Sequence, residues 1–310
     1  MPEPGHLTHN GPLSLDSGSN RNVALSGQGG QIAHPLASGG AVAVDGTKPV
    51  RIDTHAHVFH RGLPMLEGRR YTPGYDATLE NYLQQLDNNG LTHGILVQPS
   101  FLGEDNGFML ESIAAAHGRL RGIAVVGPTL SQKRVQQLRD GGVIGVRINL
   151  IGQRIPNLNT PEWSRALNEL ISAGMYIEVY GRSTALAIIV PMLLAKGANV
   201  ILDHVAMPDP QLGIYDPHFE TVLDLALTRK VWCKISAPYR SGPHGHTNAL
   251  EAYPELVLAF KTDRILWGSD WPHTQHENAQ HYRKTVEFFE SVVPDPAERA
   301  KILGNFQALF

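Results

Sequence analysis

Cysteine is almost absent: the 310-residue chain carries one, Cys233. No internal disulfide can form, and because Cys233 sits in the apolar run Val231-Trp232-Cys233 it reads as a reduced core residue. Charge of one sign is not in excess either. The 26 Lys plus Arg face 29 Asp plus Glu, so no basic field exists to hold a phosphate backbone, which argues against nucleic acid as a partner. No stretch approaches the roughly 18 uninterrupted apolar residues of a membrane span, and the N-terminus lacks the basic-then-apolar layout of a signal peptide. The expectation is a cytoplasmic protein with no membrane partner. Neither phosphate-binding glycine signature occurs, which argues against a nucleotide cofactor.

What is present is core material: 42% of residues are hydrophobic and 18% charged, the balance of a globular protein. Residues 1–48 stand apart, rich in Gly, Ser, Asn and Pro with no helical or strand period. They read as a flexible N-terminal arm, with a lid or an oligomer-swapping segment as open roles and self-association into a homo-oligomer compatible with either. The histidines of the arm, His6, His9 and His34, read as solvated.

From Pro49 short apolar runs alternate with amphipathic stretches. Strands are expected over residues 50–58, 93–99, 121–127, 143–150, 175–180, 199–205, 231–236 and 264–270. Between them the spacing of Leu79, Tyr82, Leu83 and Leu86 predicts a helix capped by Asp76 and ended by Gly90, and Thr160-Pro161-Glu162 opens another that Gly174 ends. Strict alternation implies parallel strands joined by right-handed crossovers. Eight such units predict a single (β/α)₈ TIM barrel over residues 49–310, an open doubly wound sheet being the other arrangement of the same pattern.

A closed barrel sends every strand's carboxyl end to one face, where chemistry is built. Polar residues gather at those ends. His55 and His57, two apart on the first strand, face one side together and can bind a metal or serve an oxyanion; two satisfied strand histidines are the bland alternative. His204 closes the sixth strand. Asp270, among Leu266, Trp267 and Trp271, is costly to bury unpaired, whereas a general base gains from desolvation that raises its pKa. Asp203 is expected to point away from His204, as a packing residue or an acid supporting the site from behind, and His273 to stand behind Asp270 on a loop. Arg147 and Asn149 share a face of the fourth strand; the guanidinium needs an anion, either a substrate carboxylate or Glu178 on the neighbouring strand. Tyr180 shares the face of Glu178 and can donate to a substrate oxygen or simply pack. Arg154 and Arg240, in loops, can complete a cationic rim or be solvated. Ser100 can donate at the mouth, but no Gly-x-Ser-x-Gly turn surrounds it, so it is not marked as a nucleophile.

Together, Asp53-Thr54-His55-Ala56-His57, Leu202-Asp203-His204, Trp267-Gly268-Ser269-Asp270-Trp271-Pro272-His273 and Ile302-Leu303-Gly304-Asn305-Phe306 resemble the amidohydrolase-related barrel hydrolases, and among them the 2-pyrone-4,6-dicarboxylate lactonases and relatives acting on muconolactones and sugar lactones. The resemblance covers about residues 50–310. It implies Asp270 as catalytic base, His55, His57 and His204 as the histidine cluster, and Arg147, Tyr180, Arg240 and Ser100 as substrate-holding positions, with Arg154 joining them if its loop shifts by one residue. Where the pyrone-dicarboxylate lactonases show Met-Gly-Arg-Pro, this chain reads Val205-Ala206-Met207-Pro208, without that arginine. Zinc or another divalent metal held by His55, His57, His204 and Asp270 is compatible with the ligand set, although the resemblance also allows catalysis without one. The function implied is hydrolysis of a small carboxylated lactone. A metal-dependent non-oxidative decarboxylase of an aromatic or muconate-type acid is the alternative within enzymes, and a non-catalytic carboxylate-binding barrel the alternative outside them.

Overall fold

The computed structural model describes residues 49–310; the segment expected as an arm, with His6, His9 and His34, lies outside the described residues. Eight strands follow one another around a single sheet in chain order: β1 (Ile52–Ala56), β2 (His93–Val97), β3 (Leu120–Ala124), β4 (Val143–Asn149), β5 (Tyr176–Tyr180), β6 (Asn199–Leu202), β7 (Val231–Ile235) and β8 (Ile265–Trp267). Every adjacent pair is parallel. The ring closes just beyond β8, where Trp271 bridges to Ala56, Asp270 N donates to His55 O at 2.8 Å and His57 N donates to Trp271 O at 2.7 Å. The expected (β/α)₈ barrel is the fold observed.

The helices are α1 (Leu79–Asn88), α2 (Gly107–Ala115), α3 (Gln132–Asp140), α4 (Pro161–Ser172), α5 (Ser183–Ala195), α6 (Pro217–Asp224), α7 (Gly245–Phe260), α8 (Tyr282–Val292) and α9 (Pro296–Gly304). Helix α4 starts as its sequence dictates: the Thr160 hydroxyl accepts from Trp163 N, Pro161 occupies the first turn, and Leu167 and Leu170 are buried. Helix α1 differs at its start. Thr78 is the cap and accepts from Asn81 N, because Asp76 is taken by Arg61, whose backbone N donates to it at 2.8 Å and whose Nε donates at 3.2 Å. No helix among the described residues is long and apolar enough to cross a membrane.

Inside the barrel the layers are legible from strand alternation. Trp232 lies two residues before Lys234 on β7, and Tyr176 two before Glu178 on β5, so each shares a face with a buried charge. Tyr176, Trp232 and Phe306 pack as an aromatic plug, with ring centroids 5.0 to 5.8 Å apart. Asn305 holds the plug in place by donating from its side-chain amide to Thr262 O at 2.8 Å and Ile265 O at 2.7 Å, which gives the terminal Gly-Asn-Phe motif a structural role. The polar residues sit above this plug.

Two strand ends are shorter than the apolar runs suggest. β6 stops at Leu202 and β8 at Trp267, so His204 and Asp270 stand on turns immediately past their strands. Both have left-handed backbone, with φ of 52° and 60°, a conformation that costs non-glycine residues free energy and concentrates at functional sites. Asp53 anchors the turn that carries Asp270. Its carboxylate accepts from Ser269 N, Ser269 Oγ and Tyr282 Oη at 2.6 to 2.8 Å. Gly268 is required by close approach: a Cβ there would lie 2.5 Å from His55 Cβ and 3.0 Å from His55 N. Gly268→Ala must push β1 and the turn apart, and we expect it to lower stability by about 1–3 kcal/mol and to cost activity as well, measured by denaturant unfolding beside turnover.

Candidate active site

Four side chains expected to meet do meet. Asp270, fully buried, turns Oδ1 toward His57 Nε2 at 3.6 Å and His55 Nε2 at 3.8 Å. The His204 ring lies 4.8 Å from that of His55, and the His57 ring 5.1 Å from it. Beyond this the hydrogen bonds assign protons. His57 Nδ1 lies 2.6 Å from Val97 O; a carbonyl only accepts, so Nδ1 carries the proton and Nε2 of the neutral ring is a bare lone pair. That lone pair confronts the carboxylate oxygen Asp270 Oδ1, which has no hydrogen-bond partner among the described residues. Two electron-rich atoms at this separation need a shared proton donor or cation between them, and a water is the simplest one.

The other oxygen of Asp270 is occupied. Oδ2 accepts from Tyr239 Oη at 2.6 Å and Arg240 Nε at 2.7 Å. This corrects the expected pKa. Burial alone pushes the carboxyl up, but the Arg240 guanidinium and the imidazoles around it outweigh burial and hold it well below the usual carboxylate range. Asp270 is therefore an anion throughout the neutral range.

The surrounding histidines are neutral. Burial lowers His55 and His57, and brings His204 and His273 down to about 4. Since the folded values lie below the ordinary 6.5, the unfolded chain binds more protons between those limits, and stability falls as pH drops from about 6.5 toward 4. Thermal unfolding across pH 7 to 4 is expected to show a falling Tm; a flat profile would contradict buried neutral imidazoles. Each ring has a holder: Ser236 Oγ is 2.8 Å from His204 Nδ1, and Tyr239 Oη is 3.0 Å from His273 Nδ1.

Arg147 is buried, and its Nη2 donates to Gln98 O at 2.6 Å while Nε has no partner among the described residues. The alternative partner, Glu178, is its neighbour in strand register but is bonded instead by Lys234 Nζ. Asn149 looks inward less than expected; its Oδ1 accepts from Ile151 N at 3.0 Å and shapes the loop after β4. Tyr180 stands edge-on to His204, centroids 4.7 Å apart. Ser100 is exposed in a 3₁₀ turn after β2, and Arg154 is exposed in the loop after β4. Neither side chain has a polar contact with the cluster among the described residues.

Two groups escaped the sequence reading, and a third was reached with the wrong direction. Tyr239 precedes Arg240 in a loop that strand periodicity does not describe, so nothing marked it. Lys234 is different: a lone cation two residues before Ser236 on an apolar strand was a readable signal of an inward charge. Asp203 stands behind the site, one of its two expected roles, but not facing away from His204: that residue turns left-handed and both then reach His55, Asp203 Oδ1 coming within 3.2 Å of His55 Nδ1.

Proteins of known name or structure match this chain over most of their length. A 2-pyrone-4,6-dicarboxylate hydrolase of Comamonas testosteroni is 28% identical over 265 residues, 81% of this chain and 87% of that one. A 4-sulfomuconolactone hydrolase of Rhizobium radiobacter is 28% identical over 258 residues, 81% and 86% of the two chains. The crystal structure of a probable 2-pyrone-4,6-dicarboxylic acid hydrolase from Acinetobacter baumannii, with citric acid bound, superposes with a TM-score of 0.81 at 38% identity, covering 84% of this chain and 98% of that one. Residues 52–305 match the amidohydrolase family model, and with the barrel and its histidine and aspartate turns this places the chain in the amidohydrolase family.

Proposed function

We propose that the chain hydrolyses a small carboxylated lactone, with Asp270 as the general base for water. The observation that carries this reading is the unpartnered Asp270 Oδ1 facing the bare Nε2 of His57: an anionic acceptor and a neutral acceptor, 3.6 Å apart, frame the position of a water whose two protons they can share. The names of the three relatives given above, hydrolases of a pyrone-dicarboxylate or of a sulfomuconolactone, support the substrate class. Arg147, with a free buried Nε, and Arg240 supply cations for a substrate carboxylate, and the Acinetobacter protein has citric acid, a polycarboxylate, bound. Ser100 and Arg154 join the proposal as rim contacts, since both are exposed on loops that follow barrel strands.

In the reaction, Asp270 Oδ1 takes a proton from water as its oxygen bonds to the ring carbonyl carbon. The carbonyl electron pair moves onto oxygen, where His204 Nε2–H, set by Ser236 donating to Nδ1, and the Tyr180 hydroxyl can donate to it. Collapse breaks the bond to the ring oxygen, and Asp270 returns its proton to that oxygen. The product is an open-chain hydroxy or enol acid with one new carboxyl group. The ring oxygen leaves more readily than an amine, so no strong general acid is required.

The ligand atoms also fit a divalent metal. His55 Nε2 and Asp270 Oδ1 are buried and unpartnered, His55, His204 and Asp270 can offer ligand atoms to one point, and His57 Nε2 is a bare donor. Zinc is the ion suited to three imidazoles and a carboxylate, and when bound it would polarise the carbonyl and acidify water. The roles of Asp270, Tyr180 and the arginines stand with or without it, whereas His204 would hold the ion in place of donating to the oxyanion. The lone cysteine, buried and reduced, fits the cytoplasmic location we assign. A panel of mono- and dicarboxylated lactones followed by base uptake and by carbon dioxide release tests the reading. Base consumption with no carbon dioxide is the expected result, and carbon dioxide release would establish a decarboxylase instead.

A further inference from the structure

Below the proposed water site lies a second cluster, on the opposite edge of the His55 ring. Lys234 Nζ is 3.1 Å from His55 Nδ1 and 3.1 Å from Asp203 Oδ1, and it donates to Glu178 Oε2. All four side chains are sealed from solvent, none more than 1% exposed. We propose that the Lys234 ammonium is a resident cation in what is otherwise a divalent-metal site, whose ligands are His55 Nδ1, Glu178 and Asp203.

Three observations support this. The first is spacing. His55 Nδ1 lies 3.2 Å from Asp203 Oδ1 and 3.9 Å from Glu178 Oε1, close to the separation of about 3.4 Å between ligands of a tetrahedral zinc with bonds near 2.1 Å. The second is charge. One ammonium can balance only one of the two buried carboxyl groups, and burial together with the neighbouring Asp203 accordingly pushes Glu178 up to about 8, whereas a divalent ion would balance both as anions. The third is unsatisfied bonding capacity: Glu178 Oε1 and Asp203 Oδ2 have no hydrogen-bond partner among the described residues, which is what remains when three N–H donors stand in a pocket built from more acceptors than they can satisfy.

His55 is thus shared, with Nδ1 in the lysine cluster and Nε2 toward Asp270. With the lower site filled by a tethered cation, the barrel has room for one exchangeable metal at most, in the upper group, and a pair of metals bridged through this centre is excluded. The lysine acts through His55 as a positioning residue, fixing the ring that faces Asp270.

The test is metal content of the full-length chain, and it is independent of the reaction catalysed. Wild type and Lys234→Ala are incubated with zinc chloride, desalted and assayed for zinc per chain. Lys234→Ala is expected to retain one equivalent more than wild type, and Lys234→Arg no more than wild type. The additional equivalent should vanish in Lys234→Ala/Glu178→Gln and persist in Lys234→Ala/Asp270→Asn, which separates the lower site from the upper one. Equal zinc in Lys234→Ala and wild type overturns the proposal. So does an additional equivalent that depends on Asp270 and not on Glu178. If Lys234→Ala is insoluble when produced without added metal, its recovery in zinc-supplemented medium supports the proposal, and failure to recover there contradicts it.

Discussion

Asp270→Asn is expected to lower kcat on the accepted lactone by about 10⁴-fold, the upper range for loss of a general base, while leaving carboxylate ligands bound. Asparagine keeps the volume and can still accept from Tyr239 and Arg240, so the turn survives. What it loses is the anion at Oδ1 that receives the proton of water. Binding should hold or tighten, because Arg240, no longer neutralised by Asp270 at 2.7 Å, presents its full charge to the ligand. Calorimetric titration with a product-like dicarboxylate, run beside turnover, separates the two effects. Retained turnover would remove Asp270 from the mechanism, and lost binding would show that the substitution had disturbed the turn.

Arg147→Met is expected to act on recognition. The residue is 6% exposed, with its guanidinium tied to Gln98 O through Nη2 and free at Nε. Removing one member of a desolvated charge pair costs about 3 kcal/mol, or ~100-fold, and the loss should fall on kcat/KM for a carboxylated lactone. A neutral lactone of the same ring should lose less than about 3-fold, the scale of a surface-type electrostatic change. Equal losses on both substrates would mean that Arg147 supports the barrel wall and does not read the carboxylate.

Much of this was legible before any coordinates. Eight apolar runs separated by capped amphipathic stretches lead to a barrel because parallel strands need crossovers and eight units close. The residues at strand ends then share a mouth. Turn geometry was not legible: the left-handed backbone at His204 and Asp270 depends on contacts with neighbouring strands, so the sequence overestimates β6 and β8 and misdirects Asp203. Long-range pairing was hidden for the same reason. Glu178 had two cations within reach, Arg147 on the neighbouring β4 and Lys234 on β7, beyond β6, and only the interior packing decides between them. The pKa of Asp270 went astray because burial is readable from apolar neighbours, whereas Arg240, thirty positions earlier, is brought to its carboxylate only by the loop after β7.

Hydrolysis in water enriched in oxygen-18 tests the central proposal, that Asp270-activated water attacks the ring carbonyl, most directly. Mass spectrometry of the opened product after a single turnover should find one heavy oxygen in the newly formed carboxyl group and none in the hydroxyl or enol oxygen, with no incorporation by Asp270→Asn. Label in the hydroxyl oxygen, or product formed without label, would contradict attack at the carbonyl carbon.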